Sequence, residues 1–471
     1  MSLDNAQPRL TLLSQEQKQQ THRYALRVLA ETGVRVDSPS VMARLKPRVG
    51  PNGIDGSRVR LPAELVEASL HSAPAIIDMY DRRGQPAFRL GDGSLRLGIG
   101  VTALQYMDPL TDALEPFARR HMQAMVRLGS RLPHYDVIST VGVVQDVPAE
   151  VSDLYASLDL NANTTKPLVL LVSDEGKFPA VLDLYEALAG DLSARPFLIP
   201  YFNPVSPLVM NSGTLDKMEA ALGRGLPIIF SNYSMAGTSA PMPPAGALVM
   251  LLAELLAGLT ISQVIKEGAP VVLGMLPNYF DMKTMLNFYD PQSILINVAC
   301  AEMMAHYHVP HCGVTGSGTG WGADFISADT YWMNLLTYGL THGGLAPFVG
   351  DTLGAKAFSP NTVVYVHEII DQVRRVAGGF QLDEASAVLG EIAKAGPGGS
   401  FLSAPSTRRA YKAGYYTSPV FPHWSMDKWQ AHGQPEAKAL LRQHTQALIE
   451  SAPAPDDQAE LLDKGEALIR A

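Results

Sequence analysis

The segment PLVLLVSDEGKFPAVLDLYEALAGDLSARPFLIPYF, residues 167–202, decides the fold. It starts and ends with apolar runs of strand length, and the stretch between them carries apolar residues at helical spacing. A strand, a helix and a second strand in such close succession predict two parallel strands joined by a crossover helix.

Apolar runs of the same kind recur from residue 95 to residue 350, with helical segments between them. The runs are LRLGIG (95–100), DVISTVGVV (136–144), PLVLLVS (167–173), PFLIPYF (196–202), PIIFSNY (227–233), PVVLGML (270–276), VPHCGVTG (309–316) and LAPFVG (345–350). These eight repeats favour parallel strands closed into a (β/α)8 barrel. The spacing also fits an open doubly wound sheet, although such sheets normally have about five to seven strands.

The barrel is expected to span residues 91–360, with a flanking region on each side. Residues 1–90 are predicted to form helices and a β-ribbon, because Ser14 and Gln17 make a capping-box pattern and the Arg83-Gly84 pair suits a hairpin turn. Residues 361–471 are predicted to form helices that pack around the barrel.

Composition narrows the class of protein. The 471 residues include 37 Lys and Arg against 46 Asp and Glu, a formal charge of −9, so we expect no binding of nucleic acid. The apolar segment ALVMLLAELLAGLTISQVI (247–265) contains Glu254, which predicts a buried helix and no contact with a membrane. The first residues lack the pattern of a signal peptide, and two cysteines suit a reducing compartment, so we expect a cytoplasmic protein.

The predicted carboxyl ends of the strands, where barrel enzymes carry their chemistry, are rich in aromatic residues and poor in acids and bases. Aromatic faces attract a quaternary ammonium or sulfonium group by cation–π interaction, worth roughly 0.5 to 2 kcal/mol per ring. Any single ring more often packs in a core, so only the group carries the hypothesis. The expected substrate cage consists of Tyr201, Tyr233, Phe280, Trp321, Phe325 and Phe348, with Asn203 and Asp281 as polar orienting groups.

The glycine-rich stretch GVTGSGTGWGADF (313–325) is a poor match to a phosphate-binding loop. A dinucleotide fingerprint needs glycine where Trp321 stands, and a P-loop needs a Gly-Lys-Ser or Gly-Lys-Thr sequence that is absent. The chain also has no Gly-x-Ser-x-Gly nucleophile elbow. A carboxylate pair, Asp281 with Asp324 or Asp351, leaves a hydrolase mechanism open.

Four potential zinc ligands precede the glycine-rich stretch, in HYHVPHC (306–312). The adjacent His311 and Cys312 point to opposite faces of a strand, and His306 and His308 cannot share a helical face. We therefore expect no metal site here.

Several stretches resemble the trimethylamine methyltransferase family. They are SPLVMNSGTLDKMEAALGRGLPIIFSNYSMAGTSAPMPPAGALVMLLAELLAGLTISQVIKEGAPVVLG (206–274), TKPLVLLVSD (165–174), FSPNTVVYVHEIIDQVRR (358–375) and GPGGSFLSAPSTRRAYK (396–412). The likeness runs in a fixed order over nearly the whole chain. Because no nonstandard residue is present, the chain resembles the branch without pyrrolysine, which includes enzymes for glycine betaine and other quaternary amines.

The resemblance implies a barrel enzyme that moves a methyl group from a quaternary, betaine-like amine to the Co(I) of a corrinoid. The corrinoid is carried by a separate corrinoid protein, so no tightly bound cofactor is expected, and the resemblance also implies that this chain forms a homo-oligomer. By the same resemblance, residues 313–325 form the floor of the methyl-donor pocket. A quaternary ammonium leaves as a neutral tertiary amine without a general acid, so we expect catalysis by positioning.

The chain also departs from many relatives, so the methyl donor cannot be copied from them. Relatives have Asp-Ser-Lys where residues 318–321 are Gly-Thr-Gly-Trp, and a His near the position of Phe348. If the donor carries a carboxylate, Lys283 or His311 is expected to receive it. A sulfonium donor such as dimethylsulfoniopropionate, a non-catalytic onium-binding barrel, and a carboxylate-based hydrolase or lyase remain as alternatives.

Overall fold

Eight parallel strands form a closed barrel in the computed structural model, which describes residues 5–315, 318, 320–341 and 343–471. The strands are β1 (Arg96–Ile99), β2 (Val137–Ser139), β3 (Leu168–Leu170), β4 (Leu198–Phe202), β5 (Ile228–Ala236), β6 (Val271–Asp281), β7 (His311–Cys312) and β8 (Leu345–Val349). Each strand pairs with the next one along the chain, and β8 returns to β1 through the pair Leu345 and Arg96. The predicted (β/α)8 barrel is confirmed.

One helix follows each strand and packs on the outside of the barrel. The helices are α1 (Arg119–Arg131), α2 (Ala149–Ala162), α3 (Phe178–Ala189), α4 (Ser212–Gly223), α5 (Pro244–Ile265), α6 (Pro291–Tyr307), α7 (Phe325–Gly339) and α8 (Pro360–Gly378). Helix α5 is long and apolar enough to cross a membrane, but 83% of its most apolar window is buried inside the protein. It is the buried helix that the sequence predicts.

The strands separate two hydrophobic clusters because successive side chains point to opposite faces. On β4, Ile199 and Tyr201 enter the barrel interior, whereas Leu198 and Phe202 join the larger cluster between barrel and helices. The interior is therefore a packed core, and the helices cover the outer wall.

A hairpin closes the amino end of the barrel interior. Its strands, Ile77–Tyr80 and Pro86–Leu90, are joined through Gly84, whose φ of +76° suits the predicted turn. Tyr80 N donates to Pro196 O, in the loop that precedes β4, so the hairpin sits against the amino ends of the strands. The side chains that enter the interior cluster are those of Ile77, Met79 and Leu90.

The strands β5 and β6 are far longer than the other six and leave the barrel as a ribbon. Beyond the β6–β7 pair at Gly274 and Cys312, β6 continues to Asp281 and stays paired with β5 as far as Tyr279, which amounts to roughly 20 Å of extra strand. The chain then turns back and the strand Leu286–Phe288 pairs antiparallel with the end of β6. We call residues 275–288 together with the end of β5 the ribbon.

The flanking regions pack on this barrel. The N-terminal region has helices Gln15–Arg27, Pro39–Val49 and Ala63–Ser72, and its strand Val34–Val36 pairs with Val209–Met210 in the loop after β4. Helix Gln15–Arg27 starts with the predicted capping box of Ser14 and Gln17. At the other end of the chain lie helices Glu384–Ala387, Leu389–Ala395, Pro405–Ala410, Met426–Ala431, Ala437–Glu450 and Gln458–Arg470. The division at residues 90 and 360 stays a prediction, and α8 begins at Pro360.

Candidate functional site

A pocket of about 250 Å³ lies at the carboxyl ends of the barrel strands. Its volume is below the range of roughly 300 to 1,000 Å³ that is usual for sites of drug-sized ligands, so it suits a small molecule. Four aromatic rings and one carboxylate are among its lining groups. The lining residues are Val101, Leu171, Tyr201, Asn203, Tyr233, Leu276, Asn287, Tyr289, Gly318, Phe348, Asp351, Gly354 and Ala355. We call it the inner pocket.

Two of the rings in the inner pocket come from opposite strands of the barrel, since Tyr201 lies on β4 and Phe348 on β8. The Tyr201 and Phe348 ring centroids are 5.0 Å apart with an interplanar angle of 79°, an edge-to-face arrangement. The Tyr201 hydroxyl lies near the side chains of Ser231 and Asn203 but makes no hydrogen bond of good geometry with a described residue, and burial raises its pKa far above the usual value. Asn203 is held by its own bond, from Nδ2 to Ser231 O at 3.0 Å.

Asp351 brings a carboxylate to the inner pocket. It starts the short strand Asp351–Thr352 just after β8, is only 2% exposed, and has the Tyr331 hydroxyl 3.4 Å from its Oδ1. Burial raises the pKa of the Tyr233 hydroxyl, and the negative charge of Asp351 raises it further. A buried carboxylate beside aromatic faces makes this pocket suited to a cation and unsuited to an anion.

The glycine-rich stretch contributes one wall of the inner pocket, and three of its residues (316, 317 and 319) lie outside the described residues. Gly318 has a φ of +88°, and a Cβ at this position would lie 3.2 Å from Asp351 Oδ2. Gly318 O accepts a hydrogen bond from Gly354 N at 2.8 Å, and Gly320 O accepts one from Thr352 Oγ1 at 2.9 Å. Glycine therefore lets the chain approach the carboxylate closely.

A larger chamber of about 570 Å³ adjoins the inner pocket. The two share Asn287, Tyr289, Gly318 and Gly354 as lining residues. The other residues that line it are Gln105, Leu114, Leu286, Phe288, Gly320, Trp321, Leu353, Lys356 and Ala357. We call it the outer chamber.

The ribbon carries three of the predicted site residues away from the inner pocket. Phe280 and Asp281 lie near its tip, and Lys283 is in the exposed turn that follows. The Asp281 carboxylate accepts bonds from Lys283 N at 2.9 Å and Thr284 Oγ1 at 2.8 Å, which lower its pKa. In this structure Asp281 stabilises a turn, and neither it nor Phe280 nor Lys283 lines the inner pocket.

His311 points away from the barrel interior and lies between β7 and α7. Its Nδ1 is 3.0 Å from the Tyr338 hydroxyl, and complete burial lowers its pKa to about 3. Its strand neighbour Cys312 faces the interior cluster. Within the described residues no three His, Cys, Asp or Glu side chains are grouped so that they could hold a metal ion.

Trp321 precedes α7 and Phe325 is its first residue, but the two side chains face different spaces. Trp321 is 73% exposed in the outer chamber, whereas Phe325 is 95% exposed beside a groove lined by Tyr365, Phe421 and other residues. Asp324, which lies between them, accepts bonds from Trp321 N and Ser327 N and caps α7. The suggested carboxylate pairs are therefore not assembled, because Asp351 lines the pocket alone among Asp281, Asp324 and Asp351.

Comparison with known proteins identifies the family. Residues 1–464 match the family described as trimethylamine methyltransferase (MTTB). This chain belongs to the trimethylamine methyltransferase family. It is accordingly a methyltransferase.

Curated members of the trimethylamine methyltransferase family align with almost the whole chain. The glycine betaine methyltransferase of Desulfitobacterium hafniense strain Y51 is 26% identical over 473 residues, which cover 98% of this chain and 97% of the relative. The proline betaine:corrinoid methyltransferase of Eubacterium limosum is 23% identical and covers 85% and 84%. The trimethylamine methyltransferase of D. hafniense strain DSM 10664 / DCB-2 is 22% identical and covers 95% and 92%.

A solved structure of a monomethylamine methyltransferase from Methanosarcina barkeri has a similar fold. It superposes with a TM-score of 0.51 over 95% of this chain and 89% of the other, at 9% sequence identity. At this identity the likeness supports the barrel fold alone.

The predicted site lacked three lining residues with polar side chains, namely Asn287, Tyr289 and Asp351, the last of which was considered only for a carboxylate pair. Asn287 and Tyr289 follow the ribbon turn, so they reach the pocket only because the chain folds back after Asp281. Asp351 stands directly after the last predicted strand, a position that barrel enzymes use for function. That position was the available signal for Asp351.

Proposed function

We propose that this enzyme transfers a methyl group from a small quaternary amine to the Co(I) corrinoid of a separate corrinoid protein. The observation that supports the proposal most strongly is the inner pocket, in which Tyr201, Tyr233, Tyr289 and Phe348 surround a space that also receives the carboxylate of Asp351. Aromatic faces and one buried carboxylate bind a permanent cation in preference to a neutral amine. The names of the glycine betaine and proline betaine relatives agree with such a donor.

The chain's own residues bind and aim the donor. The rings hold the onium group and exclude water, while Asn203 and Asn287 offer amide groups that fix its orientation. The nitrogen keeps the electron pair of the broken C–N bond, so the product leaves as a neutral tertiary amine and no proton has to move. When bound, the corrinoid supplies a nucleophilic cobalt that takes up the methyl group without its bonding pair.

The charge of Asp351 acts on binding more than on the chemical step. Positive charge leaves the nitrogen as the methyl group departs, so the carboxylate stabilises the bound substrate at least as much as the transition state. It therefore favours capture of the cation and release of the neutral product. The rate of methyl transfer is then determined by how the rings position the methyl carbon.

Titration calorimetry with a panel of onium compounds tests the donor. Glycine betaine, carnitine, proline betaine, dimethylsulfoniopropionate and trimethylamine are titrated into the wild type, Phe348→Ala and Phe325→Ala. We expect saturable binding of one quaternary amine that Phe348→Ala weakens at least tenfold and Phe325→Ala leaves unchanged, because Phe348 lines the inner pocket and Phe325 does not. Binding of the sulfonium alone would reassign the donor, and binding of none of the five would reject the proposal.

A further inference from the structure

The segment that follows α8 has no buried side chain over a long distance. Every residue from 374 to 417, all of which the structure describes, is exposed or half-buried, and the next buried residue is Ser418. We call residues 380–417 the arm. None of its residues belongs to either hydrophobic cluster of the protein. The arm therefore adds nothing to the core of its own chain.

The arm is nevertheless built as ordered structure. It contains three helices without a buried residue, Glu384–Ala387, Leu389–Ala395 and Pro405–Ala410. The Asp383 carboxylate accepts a bond from Ser386 N at 2.6 Å and caps the first helix. The Glu391 carboxylate accepts a bond from Ser406 N at 3.0 Å and ties the second helix to the third. Ordering a backbone costs free energy that a chain normally offsets by burying apolar surface, so the arm requires a surface outside its own chain.

Large apolar side chains give the arm the means to make such a contact. Eight of them are between 41% and 87% exposed, namely Phe380, Leu382, Leu389, Ile392, Phe401, Leu402, Tyr411 and Tyr415. An aromatic side chain buries roughly 150 to 250 Å² when it is fully covered. Eight large side chains that are each about half exposed thus present on the order of 800 Å². This area equals one partner's share of a standard protein–protein interface, roughly 800 Å².

Both ends of the arm are fixed beside α8. The arm begins with the strand Phe380–Gln381, which pairs with the N-terminal strand Asn5–Ala6 directly after α8 ends. Where the arm ends, the hydroxyl groups of Tyr416 and Ser418 donate to the Glu368 carboxylate in the middle of α8. None of the arm residues lines the inner pocket or the outer chamber. The arm therefore belongs to the flank of the enzyme and not to its substrate site.

Two properties of the arm select a second copy of this chain as its partner. Apolar surface of this extent is covered permanently in stable complexes, whereas a partner that comes and goes leaves it exposed between encounters. The arm also differs in charge from the rest of the molecule. It carries four basic and three acidic residues, whereas the whole chain has 37 basic and 46 acidic ones. A weakly basic arm suits the acidic body of another copy.

We propose that the arm packs against the body of a second copy of this chain and holds the enzyme together as a homo-oligomer. A pair is the simplest closed arrangement, because each copy gives one arm and receives one about a two-fold axis. Two such contacts bury on the order of 3,000 Å² in total, which lies in the range of permanent complexes, roughly 2,000 to 5,000 Å². The homo-oligomer that the sequence resemblance implies is thereby assigned to one element of the chain.

Sedimentation velocity of the full chain tests the arm with the variant Leu402→Glu. Leu402 is 87% exposed, so the fold of the single chain does not depend on it, whereas a carboxylate at this position would be buried unpaired in the interface. We expect the wild type to sediment as a dimer or a larger oligomer at micromolar concentration. Leu402→Glu should raise the dissociation constant on the order of a hundredfold or more and sediment as a monomer. Its circular dichroism should match that of wild type.

Met282→Glu is the matched control for Leu402→Glu. Met282 is 68% exposed on the ribbon, so the same charge is introduced at an exposed apolar side chain outside the arm. The sedimentation of this variant should equal that of wild type.

Trypsin gives a second readout that is specific for the arm. Arg408 and Arg409 lie within the arm and are exposed in the single chain. Cleavage after them should be slow in the wild-type oligomer and roughly tenfold faster or more in Leu402→Glu, because the arm is then uncovered.

Three results would overturn the proposal. The first is a monomeric wild type, and the second is an oligomer that Leu402→Glu leaves intact. The third is an oligomer that Met282→Glu dissociates instead, which would place the interface on the ribbon. Dissociation of Leu402→Glu together with rapid cleavage of its arm, with Met282→Glu unaffected, supports the proposal.

Discussion

The two ends of the barrel interior are built from different kinds of side chain. At the amino end, the hairpin inserts Ile77, Met79 and Leu90, which are all apolar and almost completely buried. Toward the carboxyl end, the buried hydroxyls of Tyr201 and Ser231 have no partner of good geometry among the described residues. A fold gains nothing from polar groups left in this state, so the carboxyl end of the interior carries a cost in stability that the amino end does not.

The largest expected effect is at the amino end. Met79→Ala should lower the free energy of unfolding by about 2 to 5 kcal/mol, because it removes buried apolar contacts and leaves a cavity. The onium Kd of the folded variant should stay close to that of wild type, since no residue of the hairpin lines the inner pocket. Denaturant unfolding and calorimetry check the two parts.

Met282→Ala is the matched control, since Met282 lies on the ribbon and is 68% exposed. It should leave the free energy of unfolding within about 0.5 kcal/mol of wild type. Equal losses for both variants would mean that the hairpin is no more important for stability than an exposed loop, and the contrast between the ends would disappear.

The second effect belongs to the carboxyl end. Asp351→Asn should weaken onium binding by about 2 kcal/mol, which is roughly thirtyfold, because it removes the negative charge that faces the cation. It should raise KM and leave kcat nearly unchanged, since the charge stabilises the bound substrate as well as the transition state. Steady-state kinetics with a saturating acceptor separate the two constants.

Asp281→Asn tests whether a carboxylate outside the inner pocket also affects binding of the onium donor. Asp281 is confined to the ribbon turn, so its variant should bind the onium donor as wild type does. A fall in kcat for Asp351→Asn without a change in KM would show that the carboxylate acts in the chemical step, contrary to the positioning mechanism.

The arrangement of the barrel followed from the sequence because it depends on periodicity. Apolar runs mark strands that are buried on both sides, and helical spacing marks the segments between them, so the closed sheet and the hairpin turn at Gly84 were both predictable. The parallel strands of a barrel all end on the same side, which is why Tyr201, Tyr233 and Phe348 lie in one pocket although β8 is opposite β4.

The rest of the site was not predictable because it depends on how far a strand continues. The sequence suggests that β6 ends near residue 276, but it runs to Asp281, so Phe280 is carried up the ribbon and Tyr289 is brought back in its place. The sequence also does not show to which face of a short strand each side chain points. His311 turns outward to Tyr338 while its neighbour Cys312 faces the interior.

The barrel wall between the two ends provides the third prediction. Burial lowers the pKa of His311 to about 3, whereas an unfolded histidine has a pKa near 6.5, so the unfolded chain binds the proton more tightly between these values. Stability is then lost as the pH falls below about 6.5, with a slope of up to about 1.4 kcal/mol per pH unit. His311→Gln should reduce that slope, measured by denaturant unfolding from pH 7 to pH 4.

A histidine on the surface gives the control. His423 is exposed, so His423→Gln should leave the slope as it is in wild type. If His311→Gln also leaves the slope unchanged, the acid sensitivity of the chain arises from other buried groups. Burial of His311 in the barrel wall would then not make the stability depend on pH.

The smallest expected effect tests directly whether a buried hydroxyl at the carboxyl end lowers the stability of the fold. Tyr201→Phe removes a buried hydroxyl that lacks a well-formed hydrogen bond but keeps the aromatic face, so the free energy of unfolding should rise by about 1 kcal/mol or stay level. Onium affinity should change less than about threefold, because cation–π attraction needs the ring and not the hydroxyl. Tyr338→Phe is the contrasting variant, since the Tyr338 hydroxyl donates to Leu345 O at 3.0 Å and its loss should destabilise the chain. A destabilised Tyr201→Phe would show that its hydroxyl is bonded within the fold, and the carboxyl end would then be a core like the amino end, with a ligand site only on its surface.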